Sequence, residues 1–169
     1  DVYKRQRQDY AGAAGQLPLD DTLEELRPLL EDPARAKVGQ NLKYDRSVLL
    51  NHGIELKGID YDTMLESYVL DSTGSRHDLD SLSLKYLGIK ATGYEEVAGK
   101  GKAALTFNQV PLEQATPYAA EDADLALQLH QTLYPRLEQN TKQLELLRSI
   151  EMPLLTVLSR IERTGVRVD

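Results

Sequence analysis

Around Tyr118-Ala-Ala-Glu-Asp-Ala-Asp124 the sequence leaves little choice of structure. An α-helix turns once every ~3.6 residues, so positions four apart lie about 40° from each other around the axis. Tyr118 and Asp122 therefore share a face, and Leu125, Leu129 and Leu133 continue that face as an apolar stripe. The stripe belongs in a core, and it carries Asp122 inward with it. A buried carboxylate without a partner is costly, and a metal ion is a partner that fits. A phenol one turn earlier can hold a water beside that metal. The pair reads as half of a nuclease site whose other half lies elsewhere in the chain.

Composition narrows what the other half can be. The 169 residues suffice for one good core and the start of a second unit. There is no cysteine, so thiolate metal sites are excluded, and the chain fits a reducing, cytoplasmic setting. Ligands must come from oxygen or from His52, His77 and His130, and oxygen favours magnesium, manganese or calcium. The formal charge of −7 argues against a broad basic face for duplex DNA, though not against a site gripping one nucleic-acid end. No run reaches membrane-spanning length.

Read in order, Asp20-Asp21-Thr22 caps a helix that Pro28 kinks or ends early. Ala36 to Gln40 forms a short strand, and Asn41-Leu-Lys-Tyr-Asp45 leads into a helix stopped by Gly53. A second strand lies near Gly58 to Tyr61. Thr63-Met-Leu-Glu66 has the pattern of a capping box. Asp78 caps a helix that Gly88 ends. Pro111 starts a short helix and Thr116-Pro117 restarts it, placing Tyr118 and Asp122 in its first two turns. A final helix runs from Thr141, kinked at Pro153 and ended by Gly165, with Val166 and Val168 opening a further element.

Asn41 to Asp45 stands at a strand-to-helix junction, and here the sequence resembles a known family. Val38-Gly-Gln-Asn-Leu-Lys-Tyr-Asp45 and Tyr118-Ala-Ala-Glu-Asp122 resemble the second and third exonuclease motifs of the 3′→5′ proofreading domain of bacterial DNA polymerase I, the family A polymerase. Asp62-Thr-Met-Leu-Glu-Ser67, Arg76-His-Asp78, Gly99-Lys-Gly-Lys102 and Ile150-Glu-Met-Pro153 match its intervening blocks in order.

The resemblance implies an α/β, ribonuclease H-like (DnaQ-like) exonuclease fold and hydrolysis of 3′-terminal nucleotides with two magnesium or manganese ions about 4 Å apart. It implies Asp122 as a direct metal ligand and Asp45 as holder of the second metal. Tyr118 would orient the attacking water. Gln40, Asn41 and Tyr44 would contact the terminal nucleotide, and Arg76, Tyr94, Lys100 and Lys102 would contact substrate. The implied partners are a single-stranded 3′ end of DNA and the polymerase domain of the same parent, a monomer. Residues 1–138 would be the exonuclease domain, and 139–169 a connecting helix into the polymerase domain.

The family's first motif, an Asp-x-Glu on the opening strand, does not occur before residue 40. The expectation is of a fold lacking its first strands and of little or no nuclease activity for this chain alone. Two rival readings stand beside this one: a ribonuclease D-type RNA exonuclease, and a catalytically dead scaffold domain. Taken singly, Tyr118 and Asp122 are an ordinary helical pair, Asp45 a helix cap, Lys100 and Lys102 a solvated loop. Asp62 reads as a helix N-terminal carboxylate near the site, and His77 and His130 as structural.

Overall fold

Two short parallel strands stand at the centre of the computed structural model, which describes residues 9–13, 15–74, 76–101, 104–165 and 167. Strand β1 (Lys37–Gly39) pairs with β2 (Ile59–Asp62), with Val38 opposite Tyr61 and Gly39 opposite Asp62. Parallel strands need a crossover, and helix α2 (Leu42–Leu50) supplies it. Gly58 makes the pairing possible. Its φ is +68°, its carbonyl accepts the Lys37 N–H at 2.7 Å, and a Cβ there would lie 2.3 Å from the Arg35 carbonyl oxygen. The result is a mixed α/β chain, mostly helical, around a small parallel sheet.

Helix α1 (Leu19–Leu30) starts earlier than expected. Pro18 precedes it, and Asp20 and Asp21 lie in its first turn, where their charge complements the helix dipole instead of capping it. The helix passes through Pro28 and ends only at Leu30. Helix α3 (Thr63–Leu70) also differs in its start. The capping box does not form. The Asp62 carboxylate caps instead, accepting the N–H groups of Met64 (3.0 Å) and Leu65 (3.4 Å), while Thr63 donates its hydroxyl to the Gly39 carbonyl at 3.2 Å. Glu66 is drawn away because its face is buried against the long helix that follows.

Helix α4 (Leu79–Leu82) is capped by Asp78, which accepts the Ser81 N–H at 2.9 Å; it widens into a π turn over Ser83–Leu87 and stops at Gly88. Short helix α5 (Tyr94–Ala98) and a 3₁₀ turn (Phe107–Gln109) order part of the irregular stretch. Helix α6 then runs unbroken from Leu112 to Glu138. The expected restart at Pro117 is absent. A proline near a helix start forfeits one N–H bond, and burial of Ala115 and Tyr118 on either side holds the helix through it. Tyr118 and Asp122 thus sit in the second and third turns. The Leu125, Leu129, Leu133 stripe is buried, at 2% exposure or less, with Leu137 extending it.

The C-terminal segment comprises α7 (Thr141–Leu146), a π turn (Leu147–Glu151) and α8 (Met152–Thr164), with Pro153 at the start of α8 and Gly165 after its end. The proline lacks the N–H that an ordinary turn would use, and the ladder widens beside it. Val166 and Val168 lie outside the described residues. Leu147 packs with Val69, Tyr134 and Leu137, and Leu155 with Leu23, Leu42 and Leu49. Ile150, Val157 and Ile161 of the same segment remain exposed. No helix among the described residues is long and apolar enough to cross a membrane.

Between α3 and α6 lies a polar contact inside the core. Glu66 is fully buried, and its Oε1 is 2.7 Å from Nδ1 of His130. Burial, and then the charge of Asp62, push the Glu66 carboxyl up to about 8. Burial holds His130 below its ordinary value. An unfolded Glu66 releases its proton near 4.5 while the folded one keeps it to about 8, so stability falls as pH rises between those values. His130 acts oppositely, but only below its ordinary 6.5. The melting temperature should therefore fall from pH 6.5 to 8, and Glu66→Gln should flatten that slope and melt above the parent at pH 8 in a calorimetric pH series.

Candidate active site

Strand β1 and the turn at its C-terminal end line a cleft of about 900 Å³, the side on which open α/β sheets gather their ligands. One wall is the start of α2. Asn41 there has φ 59° and ψ 49°, the only left-handed non-glycine among the described residues, and asparagine tolerates this conformation better than most. The turn that it makes brings Asn41, Tyr44 and Asp45 to the cleft. The facing wall is α6, with Tyr118 and Asp122, and a third side is the stretch from Arg76 to Asp80.

Asp45 and Asp122, which come from separate helices, line one cleft together with Tyr118. The depth of Asp122 differs from the expectation. Its side chain is half-buried at the cleft wall, so burial alone does not demand a compensating ion. Among the described residues the fully buried carboxylates are Asp62 and Glu66. Tyr118 is 8% exposed, and its ring lies 6.0 Å from Phe107 and 6.4 Å from Tyr94. Tyr44 is half-exposed on the opposite wall.

Gln40 lines the cleft with both ends of its amide engaged. Its Nε2 donates to the His77 carbonyl at 2.7 Å and its Oε1 accepts the Thr63 hydroxyl. Arg76 is exposed on the rim, paired with Asp78 at 3.1 Å. Tyr94 and Lys100 are not brought to the cleft lining. Tyr94 packs beside Phe107, and Lys100 pairs with Glu95 at 2.9 Å. Lys102 lies outside the described residues.

Sequence reasoning missed Lys37, Asp78 and Asp80 as cleft residues, and took His77 only as structural. Burial raises the Asp78 carboxyl, but the Ser81 N–H and hydroxyl and the Arg76 charge outweigh it and leave it below its ordinary value. Asp80 is raised, by burial first and then by Asp78 and more distant carboxylates. Their clustering in Arg76-His-Asp-Leu-Asp80 was the available signal.

No group of three or more His, Asp or Glu side chains that could share a metal stands among the described residues. Two carboxylates on one cleft still fit magnesium, which keeps several waters and takes one or two protein carboxylates plus substrate phosphate.

The sequence matches the 3′-5′ exonuclease family of DNA polymerase A over residues 4–138. The chain belongs to that family. It is 57% identical to a DNA polymerase I of Pseudomonas aeruginosa over 162 residues, covering 95% of this chain and 18% of the relative. A DNA polymerase I of Rhizobium leguminosarum is 48% identical, covering 93% of this chain and 15% of the relative. The chain thus spans less than a fifth of the length of these relatives. Its fold is shared with part of a solved structure titled the POL domain of Pol1 from M. smegmatis in complex with DNA primer-template and dNTP. The TM-score is 0.70 at 24% identity, over 90% of this chain and 23% of that one.

Packing and chemistry can be separated at Tyr118. Tyr118→Phe should change folding free energy by no more than about 1.5 kcal/mol, the net worth of one hydrogen bond. Tyr118→Ala should cost roughly 3–5 kcal/mol by emptying the space between Phe107 and the cleft. Urea denaturation of the two variants measures the difference.

Proposed function

We propose that this chain is the 3′-5′ exonuclease part of a DNA polymerase I-type protein, with a ribonuclease H-like fold, hydrolysing 3′-terminal nucleotides of single-stranded DNA. The observation that carries the reading is the convergence of Asp45, Asp122 and Tyr118, from two helices, on one cleft at the end of β1. Asp122 and Asp45 are the residues that would hold magnesium or manganese. Bound there, the ions would activate a water and neutralise charge on the departing 3′ oxygen.

The chain's own side chains do the rest. The Tyr118 phenol sits within reach of the cleft and orients the attacking water. The Tyr44 ring, half-exposed, stacks on the terminal base. Asn41 Oδ1 is shielded from solvent and has no hydrogen-bond partner among the described residues. A donor on the terminal nucleotide, such as its 3′ hydroxyl, would satisfy it. Arg76 on the rim meets a backbone phosphate, and Lys100 and Lys102 meet phosphates further along as point charges. Residues 139–169 form a connecting segment toward a polymerase domain of the same monomeric protein, in a bacterial cytoplasm. The exposed Ile150, Val157 and Ile161 row is the surface it offers.

A chimaera tests the reading, with this chain replacing the matching segment of the Pseudomonas aeruginosa DNA polymerase I. It should trim single-stranded 3′ ends in magnesium. Asp122→Ala should remove nearly all of that trimming while polymerisation persists, and Tyr118→Phe should slow it at least about tenfold. A chimaera that polymerises but does not trim counts against the reading.

The isolated chain carries no Asp-x-Glu before residue 40 and is expected to show little or no nuclease activity, because charge in the transition state is poorly neutralised. Brisk magnesium-dependent digestion by the purified chain contradicts this.

A further inference from the structure

The N-terminus of α2 has no side-chain cap of its own: the Asn41 side chain makes no capping bond. A helix start leaves several N–H groups without partners, and here they find one in another element. Asp62, at the end of β2, is fully buried. Its Oδ2 accepts the Leu42 N–H at 2.7 Å and its Oδ1 accepts the Asn41 N–H at 3.2 Å. The same Oδ1 takes the Met64 and Leu65 N–H groups that open α3.

The pairing of Gly39 with Asp62 sets this carboxylate beside the exit of β1. A left-handed residue at a helix start turns successive N–H groups into an anion-binding concavity. In this molecule the anion is internal. Leu42 packs into the core beside Leu155, but a small void of about 100 Å³ lies behind the Asn41 side of the turn, lined by Asn41, Asp62, Met64, Leu65, Leu154 and Leu155. The Asp62 tie therefore works together with the packing of Leu42 in fixing the geometry of the turn.

We propose that Asp62 is a positioning residue of the site: its carboxylate fills the nest at the start of α2 and so sets the attitude of Asn41, Tyr44 and Asp45 in the cleft, an assignment that rests on the exonuclease reading above. Asp62 touches neither substrate nor metal in this assignment. It acts through the backbone, and Asp45 follows because it lies one turn into the helix thus anchored.

Serine separates the two duties of Asp62. A serine at this position still caps α3, since serine is as good an N-cap as aspartate. It is too short to span to Leu42. Asp62→Ser is compared with Leu137→Ala, a buried substitution remote from the cleft, well below both melting temperatures. In the chimaera, Asp62→Ser should lower kcat for 3′ trimming at least about tenfold and raise the magnesium concentration for half-maximal rate. Leu137→Ala should do neither. In the isolated chain, amide exchange at Asn41 and Leu42 should accelerate at least about tenfold in Asp62→Ser, with exchange in the middle of α3 unchanged. Should Asp62→Ser not fold, Asp62→Asn, which keeps one acceptor oxygen on a side chain of the same length, is measured in its place.

Parental trimming by the variant, or parental exchange at Asn41 and Leu42, overturns the assignment. An unsubstituted chimaera that polymerises without trimming overturns the exonuclease reading, and the assignment with it.

Discussion

One buried carboxylate holds the two halves of the sheet-and-helix unit in register. Asp62 accepts four backbone N–H groups, two from the start of α2 and two from the start of α3. Both helices follow directly on the strands that they extend. Burial pushes the Asp62 carboxyl above its ordinary value against the pull of those donors. Burial and the charge of Asp62 push the nearby Glu66 carboxyl up to about 8. A negative charge on Asp62 stands at the point where two helix dipoles start and where it interacts most favourably. Everything on the near wall of the cleft hangs from this point.

Periodicity in the sequence conveys direction around a helix well and depth poorly. The shared face of Tyr118, Asp122 and the leucine stripe could be read from spacing, and all lie on the inward side of α6. That Asp122 stops at a cleft wall while Leu125 is buried could not, because depth depends on what packs opposite. The stretch Asn41 to Asp45 was legible as a strand-to-helix junction, since a short apolar run meets a polar cluster there. Its brace was not legible, because Asp62 lies about twenty residues on and reaches α2 only after the strands pair.

Local rules misled where long-range partners took over. Thr63 and Glu66 have the spacing of a capping box, but Thr63 turns to β1 and Glu66 to His130 in α6. Pro117 carries the mark of a helix start, yet the buried residues around it keep the helix continuous. At Thr63 and Glu66 contacts formed by folding outweigh a capping preference of about 1 kcal/mol, and at Pro117 they offset the roughly 3 kcal/mol that a proline inside a helix costs.

The wide turn at Leu147–Glu151 has a geometric consequence. Leu147 and Leu155 are eight residues apart, which in a regular helix sets them about 80° out of phase. A turn closed over five residues holds nearly one residue more than usual. It rotates everything beyond it back, and both leucines are buried, each in its own core cluster. The segment thus behaves like a shaft with an offset coupling: Leu147 engages α3 and α6, Leu155 engages α1 and α2, and Ile150, Val157 and Ile161 are turned outward as a row. Removing a single residue from that turn would swing α8 by about 100° relative to α7, turning Leu155 out of the core.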